Sequence, residues 1–159
     1  MLILLPPSEG KTTPTKGPRL AWPKLSFPEL ATVRKEVADA LVRLCNGPAA
    51  KARTALGISA RQDDELARNQ ALLTAPTAPA GDVYTGVLYD ALDLASLDAR
   101  ARRRAASDIA IASALFGILR VTDRIPAYRL SADTTLPGLG RLAGIWREPV
   151  ADAITAAAG

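Results

Sequence analysis

Two tyrosines set beside ionisable side chains, in segments punctuated by glycine, are where this 159-residue sequence asks for more than core packing. In Gly81-Asp82-Val83-Tyr84-Thr85-Gly86 an extended backbone would put Asp82 and Tyr84 on one face and bury Val83 on the other. A carboxylate beside a phenol can orient a hydroxyl or amine, or take its proton, which makes Asp82 and Tyr84 the candidate catalytic residues. The alternative is a turn that Asp82 caps while Tyr84 half-packs. The second segment, Phe116 to Leu130, carries Arg120, Asp123, Tyr128 and Arg129 around Pro126. Arg is suited to planar recognition of carboxylate or phosphate, and a tyrosine adds a stacking face with a hydroxyl. An Arg120 to Asp123 ion pair stapling a loop is the structural alternative. The third segment, Pro7-Ser8-Glu9-Gly10-Lys11-Thr12, follows an apolar run. It is not a P-loop, because Leu5 occupies the position of the upstream glycine. Ser8 and Lys11 at a strand end nevertheless suit an anion.

Composition narrows the chemistry further. Histidine is absent and Cys45 is the single cysteine, so neither a disulfide within the chain nor a zinc or haem site is expected; no metal and no cofactor is assigned. Carboxylates would remain available to a hard cation. The formal charge of +4 is compatible with double-stranded DNA or a phosphate-bearing small molecule as partner, although an Arg- and Ala-rich composition alone gives the same sign. Met1 to Leu5 is too short to span a bilayer and lacks a basic leader, which predicts no membrane association and a cytoplasmic location.

The elements that must position these residues follow from periodicity. With 48% hydrophobic residues the chain can bury a core as one domain over 1–159. Leu2 to Leu5 reads as a buried strand ended by Pro6-Pro7, and the stretch from Ser8 to Pro28, with Pro14, Pro18 and Pro23, reads as a loop. Leu30, Val33, Val37, Leu41 and Leu44 share a helical face over Pro28 to Leu44. Asn46-Gly47-Pro48 stops that helix; a second runs from Ala49 to Leu56, and a third starts after Ser59 as its N-cap. Thr74 to Ala80 is a linker, and helix returns from Leu97 to Ala106. Ile109 to Phe116 mixes β-branched residues with alanines and is assigned to a strand. A turn at Leu136 to Gly140 precedes a last helix over Gly144 to Ala158. The predicted fold class is α/β: a mixed sheet flanked by helices, with a small helix-hairpin-helix element at about 48–70. Because strand and helix stop alternating at Ala156 to Gly159 with no closing strand, a truncated domain is expected.

The hairpin offers its own candidates. Gly57, with Lys51, Arg53 and Arg61 nearby, would set backbone N–H groups against a DNA phosphate. Asp63, Asp64 and Glu65 oppose that by placing negative charge alongside.

Taken together, the Met1 to Thr12 start with Lys11, the Gly81 to Gly86 and Phe116 to Leu130 segments, and Trp146 resemble the YaaA (UPF0246-type) family of peroxide-stress proteins. The resemblance runs from Met1 to about Ala157 and corresponds to the front part of a typical member. It implies a cytoplasmic α/β protein that responds to hydrogen peroxide by limiting free iron and that binds DNA through a helix-hairpin-helix. Phe116 and Val121 depart from the tyrosine and proline of many members, and Lys11 corresponds to the family pattern more securely than Ser8. The expected cleft is electropositive and built by Lys11, Asp82, Tyr84, Arg120, Asp123, Tyr128 and Arg129. The rival reading is an enzyme acting on a small nucleotide-like or phosphorylated substrate, with Lys11 and Arg129 clamping its anion.

Overall fold

A computed structural model describes residues 1–159. At its centre lies a three-stranded sheet in the order β1-β3-β4, formed by Ile3–Leu5 (β1), Ile109–Ser113 (β3) and Gly117–Arg120 (β4). β1 runs parallel to β3, pairing Ile3 with Ile109, and β3 runs antiparallel to β4, pairing Ser113 with Gly117. The sheet is therefore mixed, as the alternation of apolar runs and helical periods predicts. β3 and β4 are buried almost throughout, whereas β1 stands at the edge with Ile3 and Leu4 exposed.

Helix α1, Ala31–Asn46, covers this core with Val37, Ala38, Leu41, Leu44 and Cys45, a spacing that keeps them on one face. Arg34 on the same helix is also buried, and its guanidinium donates to the carbonyls of Phe116 (2.9 Å), Ile118 (2.7 Å) and Phe27 (3.3 Å). One side chain thus ties α1 to the start of β4 and to Phe27, a non-glycine residue held at φ 58°.

Helices α2, Ala49–Leu56, and α3, Asp63–Gln70, pack on each other and on α1. Gly57 ends α2 at φ 67°, and Ser59 opens the following turn, its N–H donating to Gln62 Oε1 at 3.1 Å. Within the linker, Ala78–Pro79 (β2) pairs with Arg124–Ile125 (β5). The extended reading of Gly81 to Gly86 is corrected: Ala80–Val83 is a single helical turn (α4), and only Tyr84 beyond it returns to extended backbone. Its sheet-like pairing is a lone bridge to Lys11. Gly81 N–H donates to Val121 O at 2.9 Å and Ala80 N–H to Asp123 O at 2.7 Å, bonds that curl the segment against the turn after β4. A short helix at Val87–Leu92 (α5) had no clear apolar period to announce it. Ala99–Asp108 (α6) leads into β3, Thr135–Leu136 (β6) pairs with Gly140–Arg141 (β7), and Leu142–Ala158 (α7) closes the chain. No helix is long and apolar enough to cross a membrane.

Candidate functional site

A cavity of about 640 Å³ opens where four segments meet: the loop after β1, the β3–β4 hairpin, Arg129 to Ala132, and the first half of α7. Its volume falls within the range of small-molecule sites. Ser8, Glu9, Lys11, Ser113, Arg129 and Arg147 supply its polar lining, and Ala112, Ala114, Trp146 and Val150 much of its apolar wall. The β3–β4 turn gives the wall its shape. Gly117 takes φ 76°, and a Cβ there would lie 2.8 Å from the Trp146 ring, so only glycine lets α7 come this close. Trp146 is fixed in turn by its indole N–H, which donates to Ala114 O at 2.7 Å.

Lys11 is delivered by a loop laced to the Val83 to Thr85 strip. Thr12 N–H donates to Val83 O (2.8 Å), and Thr85 N–H donates to Ser8 Oγ (3.0 Å). The ammonium donates to Ser8 O (3.0 Å) and Glu9 O (3.2 Å) and lies 4.4 Å from the centre of the Tyr128 ring and 5.6 Å from that of Tyr84. Burial, then the nearby Arg129 guanidinium, pull its pKa down from 10.5 to about 8, against smaller support from Glu65 and Glu9. Near pH 8 the amine therefore stands close to half-protonated.

Behind Lys11 the tyrosines form one hydrogen-bonded group. Tyr84 and Tyr128 share a bond of 2.6 Å between their hydroxyls, and Tyr128 shares one of 2.8 Å with Ser113 Oγ. Both phenols are buried, and burial raises both pKa values, that of Tyr128 to about 12. They stay protonated at neutral pH and serve as donors, not as bases. Tyr89 stacks on Tyr84 at 5.6 Å and donates to Pro6 O at 2.6 Å, buttressing the strand end that starts the Lys11 loop.

Arg129 reaches the same cavity from the opposite side. Its guanidinium pairs with Glu9 at 2.6 Å. Its backbone is gripped by Asn69, whose side-chain amide accepts from Arg129 N–H and donates to Arg129 O, both at 2.8 Å. Asn69 is fully buried, and this two-point clamp makes α3 a support for the site. Neither Asn69 nor Ser113 nor Arg147 stood out in the sequence. A polar residue on the buried face of α3, next to Leu66, was the available signal for Asn69.

Of the residues expected to converge, Ser8, Lys11, Tyr84, Tyr128 and Arg129 come together, and Asp82, Arg120 and Asp123 do not. Asp82 is exposed on α4, because the helical turn rotates it away from Tyr84. Asp123 is buried and spent: one oxygen accepts from the N–H and hydroxyl of Ser26 (3.0 and 2.8 Å), the other from Arg120 N–H (2.8 Å). It staples a loop, although through Arg120's backbone and not through its guanidinium. That guanidinium lies 5.0 Å from the Phe27 ring centre, with one buried nitrogen lacking any partner.

The hairpin candidates lie apart from the cavity. The amides of Gly57 and Ile58 are already bonded to carbonyls of α2, so they are not open to a phosphate. Arg53 is engaged by Asp63 through two hydrogen bonds. Lys51 and Arg61 are exposed, and Arg61 precedes the acidic first turn of α3.

Comparison with known proteins places these features in a family. A family model described as peroxide stress protein YaaA matches residues 1–159. The chain is 54% identical to a UPF0246 protein of Streptomyces coelicolor over 159 residues, which is 100% of this chain and 61% of that protein. It is 49% identical to a UPF0246 protein of Corynebacterium efficiens over 138 residues, 87% of this chain and 54% of the relative. A Corynebacterium glutamicum UPF0246 protein is 48% identical over 137 residues, 86% and 53% of the respective chains. The chain thus spans a little over half the length of these relatives.

Proposed function

This chain belongs to the YaaA peroxide stress protein family, and from that premise we propose that it serves peroxide resistance by binding a small phosphate- or carboxylate-bearing molecule in the Lys11–Arg129 cavity. The observation that carries this reading is the meeting of Lys11, Arg129 and Arg147 around one open cavity with a single lining carboxylate, Glu9. Glu9 is largely exposed, so an incoming anion can displace it from Arg129 with little loss, since exposed pairs are worth little. A nucleotide-like ligand fits the same logic: charge at the Lys11 end, a flat apolar body against Trp146.

The contribution to peroxide resistance is indirect. Cys45 is buried against Asn69, and burial pushes its thiol pKa up, which disfavours the thiolate that reacts with peroxide. Limiting free iron, the role the family resemblance implies, would act through the bound ligand. If the site is catalytic, Lys11 is the proton acceptor best placed for it, with Tyr84 and Tyr128 remaining donors.

Binding of duplex DNA through the α2–α3 hairpin has less behind it, since the turn amides and Arg53 are engaged within the protein. Its support is the exposed pair Lys51 and Arg61. Thermal shift separates the two readings. Stabilisation by phosphate or a nucleotide, lost in Lys11→Ala and Arg129→Ala, supports the cavity. Salt-sensitive stabilisation by duplex DNA, lost in Lys51→Ala/Arg61→Ala and absent with small anions, would reject it in favour of the hairpin.

A further inference from the structure

The three linked hydroxyls at the back of the cavity favour one direction for their protons. Tyr84 has one phenolic proton, and the close partner of its oxygen is that of Tyr128, 2.6 Å away, with Ser113 the other hydroxyl near it. A buried donor is rarely left unpaired, so Tyr84 donates and Tyr128 accepts. Tyr128 then directs its own proton to Ser113 Oγ at 2.8 Å. Ser113 Oγ also accepts the N–H of Phe116 at 3.1 Å, and these two bonds fill its acceptor capacity. Beyond these two bonds the Ser113 proton has only the Tyr84 oxygen as a competing neighbour, and Ser113 lines the cavity.

We infer that Ser113 presents a hydroxyl proton to the cavity as the inner donor for the ligand's head, so that the site selects a small anion with an unprotonated oxygen at that end and an apolar body. The inference rests on the anion-binding reading of the same cavity and adds a recognition element that charge alone does not supply. A hydroxyl at the end of a donor chain is polarised by the bonds feeding it. Lys11 has spent two of its three N–H donors on Ser8 O and Glu9 O, which leaves the third. Arg129 bonds Glu9 through one terminal nitrogen and retains others. The head group is therefore met by a neutral donor and two cations, while Trp146 and Val150 face the remainder of the ligand. Ser113 is only 5% exposed, which places this donor beyond the reach of a duplex backbone and within that of a small molecule.

Binding of phenyl phosphate, benzoate and inorganic phosphate to the 159-residue chain, followed by calorimetry and by Trp146 fluorescence, tests this. Phenyl phosphate is expected to bind more tightly than inorganic phosphate, and benzoate tells a carboxylate head from a phosphate one. Ser113→Ala should weaken phenyl phosphate by roughly tenfold or more, as expected for a hydrogen bond to a charged acceptor. Ser113→Thr keeps the hydroxyl and should bind within about threefold of the parent, whereas Ser113→Cys, with a weak donor, should follow alanine. The Thr and Cys pair decides the matter if the alanine variant does not fold. Equal affinity in the parent and the folded Ser113→Ala or Ser113→Cys variant overturns the inference: the three hydroxyls would then form a closed ring that spends the Ser113 proton internally. In that outcome loss of binding in Lys11→Ala still upholds the anion site. Absence of saturable binding of all three probes to the parent rejects the anion site, and the Ser113 donor with it.

Discussion

Anion affinity should collapse on the alkaline side at a pH set by Lys11. The free protein holds this amine near pKa 8 because burial and Arg129 oppose its charge, while Glu65 and Glu9 favour it and Arg68 opposes it. If only the ammonium form binds, the apparent dissociation constant scales with the inverse of the protonated fraction. With a pKa of about 8, that fraction is about nine-tenths at pH 7, half at pH 8 and one-eleventh at pH 9, so affinity falls by about tenfold between pH 7 and pH 9. A phosphate monoester, with a second pKa of about 6, is about nine-tenths dianionic at pH 7 and gains little charge above it, so the protein dominates the profile on the alkaline side. Calorimetric titration of phenyl phosphate at half-unit steps from pH 6.5 to 10 would show the break. In Lys11→Arg the guanidinium keeps its charge throughout, and the break should vanish. The same protonation also appears in folding. The unfolded chain holds the Lys11 proton up to about 10.5 and the folded chain releases it near 8, so this group makes stability rise with pH across that interval. An affinity that is flat to pH 10 in the parent, or a break that persists in Lys11→Arg, would refute the assignment of Lys11 as the half-buried cation that meets the ligand.

Other substitutions test the scaffold. Gly117→Ala forces a Cβ into the Trp146 ring at a left-handed φ and should cost about 1–3 kcal/mol, read from the urea midpoint, together with a shift in Trp146 emission. Arg34→Met leaves the carbonyls of Phe116, Ile118 and Phe27 without their donor and should cost roughly 3 kcal/mol or more; a loss below 1 kcal/mol would mean those carbonyls find other partners. Asn69→Ala removes both bonds to the Arg129 backbone and should weaken anion binding by several-fold even though Asn69 lines no part of the cavity, and Asn69→Asp should not restore it because the N–H donor is gone. Cys45 should resist alkylation and peroxide in the folded protein and react only on unfolding, a difference that mass spectrometry resolves directly.

The helices were legible where a single physical signal dominated. Asn46-Gly47-Pro48 and Gly57 bracket α2 in the sequence as they do in the fold, because a helix stop is a local property of backbone freedom. β3 was legible from its β-branched residues, although it ends at Ser113 and the remainder of the apolar run turns to meet β4. The Gly81 to Gly86 segment left an extended strip and a turn both open, because an alternation over four residues is compatible with either. What decided it was tertiary: Val121 O and Asp123 O capture the amides of Gly81 and Ala80. No local pattern encodes a partner forty residues away.

The site residues divide along a different line. Asp123 and Tyr128 lie five positions apart, are equally buried and equally conspicuous in the sequence, yet one is a staple and the other reaches the cavity through Ser113. The difference lies in what each has left to give. Asp123 accepts three bonds from Ser26 and Arg120 and does not line the Lys11–Arg129 cavity, so its chemistry is consumed in holding the turn. Arg34 is likewise consumed by three carbonyls. Lys11 and Arg129 each retain an unspent donor at the wall of one open cavity, and the inferred Ser113 donor faces the same space. Residue type makes a polar side chain a candidate, but the balance of its hydrogen bonds decides whether it acts on the protein or on a ligand. That balance is set by the fold, which is why Ser113, a common residue at the end of a buried strand, lines the cavity while Asp82, the carboxylate that the sequence puts forward, stands exposed outside it.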